Sequence, residues 1–129
     1  MSGILAMMKL PMNIYKTFDV VVVPFPFVDS LKSKNRPALV VSSDKHFNHP
    51  LSHSVLAMIT SAVHNPWHLD IEITNLKSCG LLKPSIIRLK LFTIDNRLIK
   101  ERIGKLSLQD QHALKETASL VFEKLIISH

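Results

Sequence analysis

The feature that most constrains the fold is a valine-rich apolar run, residues 20–28, which prolines interrupt at positions 24 and 26. Valine favours strands, and each proline removes a backbone donor from a sheet. The sequence therefore predicts a strand over residues 19–27 that lies at a sheet edge or bends where the prolines begin. The run is much shorter than the roughly 20 apolar residues that span a bilayer, so no membrane segment is expected.

Further strands are predicted from short apolar runs that follow. Residues 28–35 are polar and lack periodicity, which predicts a loop. Strands are expected over residues 37–43, 54–61 and 69–74, and the last of these alternates apolar with polar residues as a half-exposed strand does. Residues 84–94 supply one more strand or two short ones.

The period of the apolar residues changes after Ser107. From there they recur at helical spacing, and Ser107 with Asp110 three positions later resembles a capping box. A helix of about 18 residues is expected. Strands joined by turns and closed by one amphipathic helix predict a mainly β fold, a small antiparallel barrel with a C-terminal α-helix.

The length of 129 residues is enough for one hydrophobic core. We expect a flexible N-terminal arm over residues 1–14 and a single domain over residues 15–129. The first residues lack the basic segment and the cleavage site of a signal peptide. The single cysteine, Cys79, cannot form an internal disulfide, which is typical of a reducing compartment. These features predict a cytoplasmic location.

The charge is strongly positive, with a formal net value of +6. The excess of lysine and arginine is concentrated in residues 31–50 and 76–105. Such clusters suit a face that binds a polyanion, because each cation near a phosphate releases condensed counterions. Exposed lysines that only maintain solubility would produce the same count. Charge alone leaves both interpretations open.

Several common kinds of site are excluded or disfavoured. Three glycines cannot supply a phosphate-binding loop or a dinucleotide fingerprint, and no GxSxG motif occurs. Two histidine pairs, 49 with 53 and 64 with 68, have the spacing of ligands on one helix face. Both pairs lie in stretches with proline and asparagine that predict loops, and neither has an acidic third ligand. We expect no metal and no cofactor.

A candidate anion site begins at Arg36, which directly precedes a buried strand. Pro37 restricts its backbone, so the guanidinium is a pre-positioned cation with five donors. Thr60 and Ser61 place two hydroxyls at the end of the third predicted strand, where they can meet the same phosphate. Spacing alone favours a structural role, in which the two hydroxyls bond their own loop. In that interpretation Arg36 pairs with Asp19, Asp29 or Glu72.

A resemblance to a known family changes this balance. The segment "DVVVVPFPFVDSLKSKNRPALVVSS" resembles the opening of the MazF/PemK toxins of type II toxin–antitoxin systems. "AMITS" resembles their third strand, "PWHLDIEI" the segment after it, and residues 82–107 their late strands. The resemblance covers residues 16–126. Phe18 stands where the family has glycine, and Arg88, Lys90 and Leu91 stand where some relatives have acidic or amide residues, so the cleavage sequence stays open.

The resemblance implies an SH3-like barrel that dimerises and cuts single-stranded RNA without a metal. The products would carry 2′,3′-cyclic phosphate and 5′-OH ends, a cognate antitoxin would block the site, and toxin and antitoxin together would bind DNA. Arg36 matches the family arginine, which would stabilise charge on the phosphoryl oxygens and assist proton transfer. Thr60 matches the family hydroxyl, which would hydrogen-bond the phosphate.

The resemblance also implies residues that contact RNA outside the catalytic pair. Two lysines belong to the loop that in relatives closes over RNA, and aromatic rings after the third strand can stack on bases. Trp67 suits a dimer interface nearly as well. The basic block 76–105 is open to two interpretations, a contact for flanking phosphates and a solvated face. The predicted RNA-binding residues are Lys32, Lys34, Ser61, His64, Trp67 and His68.

Three functions remain in view from the sequence. The first is the ribonuclease toxin. The second is a catalytically weak or inactive barrel that binds RNA or an antitoxin without cleavage. The third is a relative that acts on another target, such as a topoisomerase-like partner.

Overall fold

The computed structural model describes residues 14–26, 31–61 and 65–126, so nearly all of the predicted arm, residues 1–14, lies outside the described residues. Within these ranges the strands are β1 (Asp19–Phe25), β2 (Lys34–Val40), β3 (His53–Thr60), β4 (Ile71–Glu72), β5 (Ile86–Asp95) and β6 (Glu101–Lys105). The α-helices are α1 (His49–Leu51), α2 (Leu108–Val121) and α3 (Glu123–Ile126), with a π-helical turn at Asp44–Asn48 and a 3-10 turn at Asn96–Leu98. None of the described helices is long and apolar enough to cross a membrane.

The strands form one antiparallel sheet in the order β4-β5-β3-β2-β1-β6. The sheet curls into a half-barrel, and the C-terminal helices pack beside it, which confirms the predicted fold class. The predicted segment 84–94 contributes to a single strand, β5 (Ile86–Asp95), with a register shift where β5 pairs with β3. The predicted fourth strand keeps its alternation, with Ile71 and Ile73 buried, but only Ile71–Glu72 form a ladder.

Of the two alternatives predicted for β1, an edge position and a departure from the ladder at the prolines, the edge position was wrong. β1 lies between β2 and β6. β6 pairs only with residues 19–22, and Pro24 therefore stands beyond the end of that ladder. Because Pro24 has no N–H to donate, the pairing of β1 with β6 ends before it. The pairing of β1 with β2 continues through Phe25.

Both faces of the sheet are covered at β1 and at the second half of β2, which explains why residues 20–25 of β1 and residues 38–40 of β2 are apolar without a break into polar residues. Successive residues point to opposite faces, so Val20 and Val21 belong to two different clusters. Leu114 of α2 packs in the first cluster, and Tyr15 and Ile99 pack in the second.

A glycine pair joins the two edges of the sheet. The turn between β4 and β5 lies against β6, where the Lys105 N–H donates to the Ser78 carbonyl at 2.8 Å. Gly80 has a φ of 70°, and a Cβ there would lie 2.2 Å from the Ile103 carbonyl oxygen. A Cβ on Gly104 would lie 2.4 Å from the Ser78 carbonyl oxygen. Only glycine allows the turn and β6 to approach this closely.

The predicted helix start is confirmed, because the Asp110 N–H donates to the Ser107 hydroxyl at 3.3 Å. The Asp110 carboxylate does not complete a capping box. It is buried and accepts from the Thr74 hydroxyl at 2.7 Å and from the Thr74 N–H at 2.9 Å, which fixes the helix to the segment after β4. The predicted apolar positions continue into α3, where Leu125 is exposed. Of these positions, Leu114 in the first half is buried, whereas Val121 and Leu125 in the second half are exposed.

Candidate functional site

Arg36 lies in β2 with its Cα opposite Val23 of β1. Its side chain is exposed, and the guanidinium carbon lies 5.9 Å from the centre of the Phe25 ring, a cation–π contact that orients it. No described carboxylate lies within salt-bridge distance of Arg36, and Asp19 pairs with Arg102 at 3.4 Å. The structural pairing with Asp19 is therefore not formed.

Thr60 is the last residue of β3, and it lies across from Arg36 of the neighbouring strand β2. The β2–β3 ladder begins at Ala38 opposite Met58, and Arg36 and Thr60 each stand two residues beyond that pair. Opposed residues of antiparallel strands share a face. Here the strands have left their ladder, so a cavity opens between them instead of a further pair.

This first cavity has a volume of about 360 Å³. Its polar lining consists of Asn35, Arg36, Thr60, Ser61, Lys83 and Ser85. Among the described lining residues none is acidic, and two are cations that a phosphate can meet directly. Apolar side chains such as Ile59 and Ile103 form the floor. The lining is suited to an anion held against a partly dry surface.

A second cavity of about 370 Å³ shares Thr60 with the first. Its lining is Met58, Thr60, Asn65, Trp67, Arg88 and Lys90. Thr60 lies between a cavity rich in hydrogen-bond donors and one with an aromatic wall. A polymeric ligand that passes through both cavities would place one of its monomers at Arg36 and the next monomer at Trp67.

Arg88 organises the second cavity. It donates to both oxygens of Asp70, from Nε at 3.1 Å and from Nη2 at 2.9 Å. Its guanidinium carbon lies 5.0 Å from the centre of the Trp67 ring, and the Trp67 N–H donates to Asp70 at 2.8 Å. The side chains of Arg88 and Asp70 are largely buried, with 14% and 11% of their surface exposed, respectively. Trp67 is thus held from its ring and from its backbone.

The same hydrogen bonds perturb the ionisation of the pair. Those from Arg88 hold the pKa of the Asp70 carboxyl below its ordinary value, and the carboxylate in turn raises the pKa of Arg88. Both groups are charged and offset each other. Lys90 is therefore the uncompensated cation at this cavity among its described lining residues.

Comparisons with known proteins decide the family. A model of PemK-like, MazF-like toxins of type II toxin–antitoxin systems matches residues 16–122. The chain belongs to this family. No curated protein matches it.

Three solved structures show the same PemK/MazF fold. The Mycobacterium tuberculosis toxin MazF-mt6 is 21% identical, with a TM-score of 0.63 over 81% of this chain and 96% of that one. MazF from Deinococcus radiodurans is 14% identical, with a TM-score of 0.65 over 85% and 97%. An endoribonuclease in complex with its cognate antitoxin from mycobacterial species is 12% identical, with a TM-score of 0.65 over 87% and 96%. The predicted MazF/PemK-like barrel is confirmed.

Within this PemK/MazF barrel, the structure brings some predicted residues together and leaves others apart. Arg36, Thr60 and Ser61 line one cavity, and Trp67 lines the adjacent one. Lys32, Lys34 and His68 are exposed and line neither cavity. His64 lies outside the described residues.

Four lining or supporting residues were missed by sequence reasoning, namely Asp70, Lys83, Arg88 and Lys90. Lys83, Arg88 and Lys90 had been seen only as parts of a basic block or as departures from the family pattern. Asp70 and Arg88 are 18 positions apart, and no local pattern links them.

The histidine stretches do not have the expected form throughout. His49 begins α1 instead of lying in a loop, and His53 begins β3, so the pair does not share one helix face. Within residues 14–26, 31–61 and 65–126, no group of three or more histidine, cysteine or acidic side chains could hold a metal ion.

Proposed function

We propose that this PemK/MazF family member is the toxin of a toxin–antitoxin system and acts as a metal-independent endoribonuclease on single-stranded RNA. One observation carries the proposal, namely that Arg36 and Thr60 line the same cavity. Lys83 adds a second cation to that cavity. The family membership supports the same activity.

The proposed reaction is an internal phosphoryl transfer. The ribose 2′-oxygen forms a bond to the adjacent phosphorus while the bond from phosphorus to the 5′-oxygen breaks. The proton lost by the 2′-hydroxyl is balanced by one gained at the 5′-oxygen. The products are a 2′,3′-cyclic phosphate and a 5′-OH end, and no other reactant is needed.

Negative charge grows on the non-bridging oxygens during this step, and the cavity supplies donors for it. The guanidinium of Arg36 can give two parallel hydrogen bonds to these oxygens. The Thr60 hydroxyl gives another, and both are in place before the reaction, which is the condition for strong electrostatic catalysis. Arg36 also assists proton transfer, although arginine, which stays protonated in proteins, is a weak general base.

The remaining predicted contacts describe the path of the RNA around this cavity. Ser61 adds a hydroxyl to the phosphate site. Lys32 and Lys34 precede Arg36 in the chain and are exposed, so they can bind flanking phosphates. Trp67 and His68 offer rings to bases. We also assign His64 to this surface, on its place after the third strand.

The partners in this proposal are RNA, a cognate antitoxin and a second copy of the chain, in the cytoplasm. Apolar residues exposed near the end of the C-terminal helices, Leu120, Leu125 and Ile126, support an interface with protein. Neighbours of the same fold include MazE–MazF complexes from Deinococcus radiodurans.

The test is cleavage of a long, unstructured RNA in excess EDTA, with the new ends mapped. Discrete cuts with 5′-OH ends are expected, reduced about 10²-fold or more in Arg36→Ala and in Thr60→Ala. Arg97→Ala is the matched control, because this exposed arginine pairs with Asp95 away from both cavities. It should cut as the wild type does.

Intact RNA in the presence of a folded wild-type protein would overturn the ribonuclease. It would favour the alternative in which the barrel binds RNA or an antitoxin without cleavage. Cuts that persist in Arg36→Ala would instead move the catalytic site elsewhere on the molecule.

A further inference from the structure

We propose that the second cavity, lined by Met58, Thr60, Asn65, Trp67, Arg88 and Lys90, is a nucleobase subsite that selects bases with keto groups, guanine or uracil. The inference rests on the proposed function, because it takes the phosphate to lie at Arg36 and Thr60. It adds what that function leaves open, namely which base is read beside the phosphate and by which residues.

The position of the cavity makes it the neighbour of the phosphate site. Thr60 lines both cavities, so a nucleotide whose phosphate meets the Thr60 hydroxyl has its sugar and base within reach of the second cavity. Met58 is on the same face of β3, two residues before Thr60, and Arg88 of β5 is directly opposite Met58. The lining is therefore fixed by sheet register.

Trp67 provides the stacking surface. The Arg88 guanidinium contacts the Trp67 ring, yet Trp67 remains 48% exposed. A base that stacks on a ring already fixed in place gains the contact without the cost of ordering that ring. Asp70 is the positioning residue, because it binds both the guanidinium of Arg88 and the N–H of Trp67.

The polar groups of the cavity decide which base is accepted. Among the described residues, the hydrogen bonds of Arg88 use Nε and Nη2, so the Nη1 hydrogens remain for a ligand. Lys90 adds an ammonium. Such donors match O6 and N7 of guanine or O4 of uracil, whereas the amino groups of adenine and cytosine would face cations. The Asn65 side-chain amide can donate or accept a hydrogen bond, so it can bind bases with keto groups and bases with amino groups.

The test uses the wild-type protein and short single-stranded oligonucleotides of deoxyuridine, deoxyinosine, deoxyadenosine or deoxycytidine. They lack the 2′-hydroxyl and cannot be cleaved, and inosine carries the O6 and N7 acceptors of guanine. Trp67 is the only tryptophan of the chain, so its fluorescence reports directly on stacking. We expect saturable quenching, with affinities about tenfold or more higher for the uracil and hypoxanthine oligonucleotides.

Two variants and one control assign the preference. Arg88→Gln and Lys90→Met should each reduce the ratio between keto and amino oligonucleotides by several-fold. Lys90 is exposed, so its variant tests the selectivity even where Arg88→Gln disturbs the fold. Arg97→Gln removes an arginine with the same kind of carboxylate partner elsewhere and should leave the ratio unchanged.

Equal affinities for all four oligonucleotides, or binding without a change in Trp67 emission, would overturn the base subsite. The result of this binding assay does not depend on ribonuclease activity, since the oligodeoxynucleotides cannot be cleaved. Selective quenching together with intact RNA in the EDTA assay would overturn the ribonuclease and leave the subsite standing. Cleavage without quenching would do the reverse.

Discussion

Two of the described arginine–aspartate pairs, Arg88 with Asp70 and Arg97 with Asp95, have similar chemistry and different surroundings. Arg88 and Asp70 are mostly buried, while the Arg97 side chain is 89% exposed. Arginine hydrogen bonds lower the pKa of both carboxyls, that of Asp95 to about 2. Exposed ion pairs contribute little because water and salt screen them. The buried pair should therefore matter more to the fold, although both carboxylates are equally ionised at neutral pH.

Asp70→Asn tests this difference through pH. The folded-state pKa of Asp70 lies below its ordinary value of 3.8, so the carboxylate stabilises the fold above about pH 4, and this contribution is lost as pH falls through the lowered pKa. Urea unfolding of wild type and variant from pH 7 to pH 2.5 should show a difference that is constant above about pH 5 and shrinks below pH 4.

The matched control is Asp95→Asn. Its difference from wild type should be smaller at pH 7, because Arg97 is solvated. An Asp70→Asn difference that persists unchanged to pH 2.5 would show that the ion pair is not its origin.

These residues also show what sequence can reveal about a site. The proximity of Arg36 and Thr60 in one cavity could be predicted because each stands at the end of a predicted strand beside an apolar run, and the family resemblance drew attention to both positions. Arg88 could not, because its role depends on Asp70 and Trp67, which reach it only through the pairing of β3, β4 and β5. In the sequence it was one more positive charge.

At the level of elements, the strands with strong apolar patterns were predicted within a few residues. β2 begins three residues before its predicted start, since Lys34 to Arg36 pair with β1 although they are exposed. β6, "ERIGK", has no clean alternation and was not predicted as a separate strand. Its place is set by β1 and by the turn that crosses it, which are both tertiary effects.

Gly104→Ala tests that crossing. The new methyl would lie 2.4 Å from the Ser78 carbonyl oxygen, a backbone atom that cannot move without opening the turn. The free energy of unfolding should fall by about 1–3 kcal/mol, as measured in urea. Lys105→Ala, next to it and exposed, keeps its backbone bond to Ser78 and should change stability by less than about 0.5 kcal/mol. Equal stability of Gly104→Ala and wild type would contradict the close approach.

Across the whole molecule, the basic block 76–105 does not act as one surface. Lys83 lines the cavity of Arg36, and Lys90 lines the cavity of Trp67. Arg88 and Arg97 are instead paired with carboxylates. The fold therefore divides the block into cations that line the two cavities and cations that pair with carboxylates. For the first group, contact with RNA phosphates stays a prediction.

The salt dependence of binding should separate these members in solution. For single strands, the logarithm of the affinity falls with the logarithm of salt concentration by about 0.7 for each phosphate neutralised. With uncleavable oligodeoxyuridine, Lys83→Ala should therefore reduce the slope by about 0.7. Lys124→Ala, on α3 away from both cavities, should leave the slope unchanged. Equal effects of the two substitutions would mean that the affinity for the oligonucleotide depends on the net charge of +6 and not on the cations that line the two cavities.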